Sequence, residues 1–135
     1  MTNREKYILS IYEELSDMGK HENVKLVKNT VNDGIYIKKT LKNYNIEIYK
    51  ILKNRQIKGI PKVYEIIEDE KELIIIEEYI HGLTLDKKYN KTDVETVKKI
   101  MEQLCNILKQ LHNMNPPIIH RDIKPTNIIV SNDDV

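Results

Sequence analysis

His120-Arg121-Asp122-Ile123-Lys124-Pro125-Thr126-Asn127 is the most chemically specific stretch of the chain. It gathers an imidazole, two cations, a carboxylate and a carboxamide in one polar segment. Apolar residues border it on both sides, Ile118-Ile119 before and Ile128-Ile129-Val130 after. Short apolar runs around a polar segment predict two strands with a loop held between them.

Upstream of the loop, Val94, Val97, Ile100, Met101, Leu104, Ile107, Leu108 and Leu111 recur at helical spacing. They predict one long amphipathic helix over 93–113. Thr92-Asp93-Val94-Glu95 is a capping box at its start, and Asn115-Pro116-Pro117 ends it. Leu104 and Leu108 flank Cys105 and assign it to a buried apolar position. Downstream of the loop, Ser131-Asn132-Asp133-Asp134-Val135 reads as the turn of a hairpin whose return strand is absent.

The first half reads differently. Tyr7, Ile8, Ile11, Tyr12 and Leu15 predict a short helix over 4–15. Residues 24–28 and 35–38 alternate, and Asn32-Asp33-Gly34 between them is a turn signal, so they predict a hairpin. Ile46, Tyr49, Ile51 and Leu52 predict a helix over 44–54, broken by Gly59-Ile60-Pro61. Two further strands, 63–67 and 73–76, flank the acidic turn Glu68-Asp69-Glu70. The fold class is α+β, an antiparallel five-stranded sheet with one helix packed on it, followed by helical structure.

The bulk numbers exclude several classes. A length of 135 residues suits one domain, or part of a larger one. The net charge is +1, with lysines interleaved among acids, so nothing marks a nucleic-acid binder. No apolar run approaches the roughly 18 residues of a membrane span. The N-terminus lacks the apolar core of a signal peptide, and the single cysteine excludes an internal disulfide. These features predict a cytoplasmic protein. His21, His81 and His112 have no ligand partners at metal spacing.

The loop matches the protein-kinase pattern H-R-D-x-x-x-x-N in every fixed position. Over about residues 12–135 the chain resembles the N-terminal half of a serine/threonine protein kinase. The Lys124-Pro125 pair points to the serine/threonine branch. The resemblance implies ATP and Mg²⁺ as cofactors. Asp122 would accept the substrate hydroxyl proton, Lys124 would offset charge on the transferred phosphoryl group, and Asn127 would bind metal. Ile35-Tyr36-Ile37-Lys38 stands where the family has V-A-I-K, which makes Lys38 the phosphate lysine and Glu47 its helix partner. Backbone groups from Glu78 to Ile80 would bind adenine, with Glu77 as gatekeeper. Gly19 and Val24 would belong to the phosphate loop and the strand after it. One truncated domain over 1–135 is expected: an N-lobe at 12–79 with a helix before it, then hinge, long helix and catalytic loop of a partial C-lobe at 80–135.

Departures from the pattern accompany the matches. Only Gly19 survives of the glycine-rich loop, and Asp17 and Glu22 add negative charge beside it. Tyr36 stands at the alanine position of V-A-I-K, and Glu47 follows Lys38 by only nine positions. No Asp-Phe-Gly occurs in the sequence. Three functions compete: a protein serine/threonine kinase inactive as this chain alone, a pseudokinase-like binding module, and a small-molecule kinase. The last usually lacks the residues found here at Arg121, Lys124 and Pro125. Without a helical lower lobe, the stripe of the 93–113 helix would be exposed and would favour homo-oligomers. The protein substrate or regulatory partner is not readable.

Overall fold

The computed structural model describes residues 1–17, 23–88, 94–114, 118 and 128–130. Its elements run α1 (Asn3–Ser10), β1 (Tyr12–Asp17), β2 (Val24–Asn29), β3 (Ile35–Leu41), α2 (Ile46–Asn54), β4 (Val63–Asp69), β5 (Glu72–Glu78), β6 (Leu83–Thr84), α3 (Leu85–Lys88), α4 (Val94–His112) and β7 (Ile129–Val130). They form two compact units. Residues 1–56 and 61–79 make the first, and residues 57–60 and 80–135 the second.

The first unit is an antiparallel five-stranded sheet, ordered β1-β2-β3-β5-β4. Its β2–β3 hairpin turns where Asn32-Asp33-Gly34 predicts. Asn29 Oδ1 accepts from the Val31 and Asn32 amides, Asn32 Oδ1 accepts from the Gly34 amide, and Asp33 takes φ 62°. Short polar side chains that bind nearby backbone make this geometry cheap. Helix α2 starts at Asn45, whose side chain accepts from the Glu47 amide. It lays Ile46, Tyr49 and Leu52 over Val63, Leu73 and Ile75. That inner face is one half of the core. The other face buries Val27, Ile67 and Ile76.

The N-terminal segment departs from the expected helix over 4–15. The helix stops at Ser10, and Tyr12–Asp17 is the fifth strand. Tyr12, Glu13 and Glu14 pair with Asn29, Lys28 and Val27 of β2. Pairing with β2 satisfies a row of amides and carbonyls between the two strands at once, which outweighs one further helical turn.

In the second unit α4 keeps the amphipathic face that its spacing predicts, burying Ile100 and Leu111. Thr92 and residues 115–117, the expected cap and stop, lie outside the described residues. Gly59, with φ 89°, sits against Ile107 of α4, and a Cβ there would collide with that side chain. Two-stranded pairing joins β6 to β7, Leu83 opposite Val130. The sequence signalled only β7, through the apolar run Ile128-Ile129-Val130, while Leu83-Thr84 carries no such run. Ile118 is buried and its amide donates to the Leu111 carbonyl, but it stands outside any strand. Cys105 is exposed, contrary to the apolar position expected of it. It shares an open strip of α4 with Lys98 and Met101.

Candidate functional site

Strand β3 carries two adjacent lysines, and the sheet sends them to opposite faces. Val24 lies opposite Lys39, Leu26 opposite Ile37, and Ile37 opposite Glu77. Directly opposed residues share a face. Val24, Leu26, Ile37, Lys39, Leu41, Ile75 and Glu77 therefore lie on the face that α2 covers at its β5 end.

On this inner face Lys39 Nζ meets Glu77 Oε1 at 2.6 Å. Glu77 is buried, at 8% exposure, at the end of the apolar run Leu73–Ile76. A carboxylate so far from water requires a cation. The Lys39 side chain keeps 36% of its surface open while holding it. Helix α2 adds Tyr49. Burial pushes the Tyr49 hydroxyl above its ordinary pKa, with Lys39 pulling it down and Glu77 pushing it up.

The outer face carries a different set. Lys38 Nζ pairs with Glu14 Oε1 at 3.3 Å, and Lys25 Nζ with Glu14 Oε2 at 3.2 Å. Hydrogen bonds from Lys25 first, and then from Lys38, hold the Glu14 carboxyl below its ordinary pKa against slight desolvation. Beside them Tyr36 stacks edge-on between Tyr12 and Tyr64, at centroid distances of 5.5 and 5.1 Å. Burial raises the pKa of both Tyr12 and Tyr64.

The structure does not bring Lys38 and Glu47 together. Glu47 pairs with Lys50 on its own helix at 3.4 Å, and its side chain is 71% exposed. Tyr36 lies on the face opposite Val24, so it does not stand over an apolar site that Val24 would line. The Glu78 amide donates to the Lys62 carbonyl, and Glu78 Oε1 accepts from the Lys62 amide. Glu78 ends the first unit's last strand, and Ile80 belongs to the second unit. Gly19, Asp122, Lys124 and Asn127 lie outside the described residues. Sequence reading missed the Lys39–Glu77 pair. Its signal was an acid placed directly after four apolar strand residues.

A family model described as the protein kinase domain matches residues 12–135. Serine/threonine-protein kinase D of Synechocystis is 39% identical over 75 residues, which is 56% of this chain and 14% of that protein. Serine/threonine-protein kinase PKH1 of Saccharomyces cerevisiae is 33% identical over 84% of this chain and 15% of its own length. Calcium-dependent protein kinase 5 of Plasmodium falciparum is 32% identical over 93% of this chain and 25% of its own. The chain thus spans between 14 and 25% of the length of these relatives.

Proposed function

The chain belongs to the protein kinase domain family, and from that membership we propose that it serves ATP-dependent phosphoryl transfer to a serine or threonine hydroxyl of a protein. The observation that carries the reading is the loop His120 to Asn127, standing in chain order after a five-stranded sheet with α2 between β3 and β4. When bound, ATP would supply the phosphoryl group, and Mg²⁺, held by Asn127, would offset its charge. Asp122 takes the hydroxyl proton and aims that oxygen, Lys124 neutralises the moving charge, and Asn127 holds metal. Little covalent chemistry falls to the protein, so the rate comes from positioning and charge. The inner face of the sheet suits a nucleotide: an apolar surface from Val24, Leu26 and Ile37 beside a partly open cation.

The 135 residues alone contain no Asp-Phe-Gly. We therefore expect no turnover from this chain alone. A melt with and without Mg²⁺-ATP tests binding; tenfold excess over Kd would stabilise by about 1.4 kcal/mol. No shift at millimolar nucleotide would end the nucleotide reading. Labelled phosphate recovered as phosphoserine or phosphothreonine, and abolished by Asp122→Asn, would show turnover by these residues alone and overturn that expectation.

A second reading, a binding module without turnover, is favoured by the loop reduced to Gly19 and by the open face of α4. Val94, Val97 and Met101 are exposed there, at 81, 46 and 53%. On this reading the face pairs with a second copy of the chain. A monomeric sedimentation profile at high concentration would exclude it. We place either role in the cytoplasm; among the described residues no helix is long and apolar enough to cross a membrane.

A further inference from the structure

We infer that the open strip of α4 is a self-complementary surface that pairs antiparallel with α4 of a second copy of this chain, Lys98 of each meeting Glu102 of the other. The inference rests on the binding-module reading above and gives that reading a direction and a register.

The strip has the form of a helix-packing site. Lys98, Met101, Glu102 and Cys105, joined by Asn106, line an open depression. The first four are spaced i, i+3, i+4 and i+7, the spacing of the four residues that make a hole for one side chain of a facing helix. Val94 stands on the same side of the helix, about three turns before Cys105. At 81% exposure it buries almost nothing in its own chain. Met101 is 53% exposed, and Cys105 is exposed as well. Water is left against a continuous line of apolar groups, which association would cover.

Charge selects the occupant. Lys98 and Glu102 are exposed, and among the described residues neither forms an ion pair. The fitting partner is a helix that brings a cation and an acid beside apolar side chains, and α4 of a second copy is such a helix. A two-fold axis passing between Lys99 and Ile100 reverses one copy against the other, the isologous arrangement. It lays Lys98 over Met101 of the second copy, with its ammonium toward Glu102 of that copy. The same contact recurs on the other side of the axis. Val94 then covers Cys105 of the second copy. A parallel pair in register would instead set Lys98 on Lys98 and Glu102 on Glu102, and like charges across an interface disfavour it.

The test reads association and register separately. Sedimentation of the 135-residue chain at high concentration should show a dimer. Met101→Glu should weaken it by about tenfold, the loss of a central interface side chain. Lys98→Glu and Glu102→Lys should each weaken it, and the double swap should restore most of the loss. For register, Val94→Cys is oxidised with diamide and mapped by peptide mass spectrometry. The expected product is a dimer in which the new thiol is joined to Cys105. The two positions lie about 16 Å apart along one helix, too far for a bond within a single chain. Wild type, and Val94→Cys combined with Cys105→Ser, should give no linked dimer. A wild-type dimer linked through Cys105 on both copies means parallel pairing, which overturns the inference and leaves the binding-module reading intact. A dimer that Met101→Glu does not weaken places the contact off this strip and overturns the inference. A strictly monomeric chain overturns both. Wild-type sedimentation and oxidation decide between these outcomes even where a variant does not fold.

Discussion

At the residue scale, Lys38 and Lys39 show how burial sets the value of an ion pair. Lys39 neutralises a buried carboxylate, so Lys39→Met leaves Glu77 without a partner and should cost about 1–3 kcal/mol. Lys38→Met leaves Glu14 in solvent with Lys25 still beside it, and should cost under about 1 kcal/mol. Urea unfolding of the two variants measures the difference, and equal midpoints would refute it. The Glu14 cluster also predicts a pH dependence. Its folded pKa lies below the unfolded value, so its stabilisation is present above the ordinary carboxylate range. That contribution fades as pH falls through the folded pKa. Wild type should therefore exceed Glu14→Gln in melting temperature at pH 7, by a small amount because water screens the pair, and the gap should close in acid. A gap that widens below pH 4 would contradict the assignment.

At the element scale, local signals were readable where they were strong and self-contained. The Asn32-Asp33-Gly34 turn, α2 and α4 each carry a period or a side chain that satisfies neighbouring backbone. Asn45 is one such group, and Asn45→Ala should destabilise the sheet unit by about 1 kcal/mol through the lost cap on α2. Unchanged unfolding would show that packing alone holds the helix start. Strand β1 was not readable, because Ile11, Tyr12 and Leu15 extend a helical period as well as they fill a strand. Pairing with β2 decided it. Lys39 was hidden for a related reason: alternation puts adjacent lysines on opposite faces of a strand, but it cannot say which face α2 will cover.

At the scale of the whole molecule, the chain divides into a sheet unit and a unit built on α4. Stability of the first rests on apolar residues buried on both faces of β5. Ile75 is fully buried under α2. Ile75→Ala should cost about 2–5 kcal/mol, the usual range for such a cavity. Circular dichroism melts would register it, and a loss below 1 kcal/mol would mean that the site collapses around the deletion.

The sequence by itself determined the family, through the residue types at His120, Asp122, Lys124 and Asn127. It also determined the class of fold, through period and turn chemistry, because those signals are local. Only the tertiary structure decided which lysine faces α2, which acid answers it, and where the first helix yields to a strand. Those outcomes depend on cross-strand register and on the face a distant helix covers, and neither is encoded in any one segment.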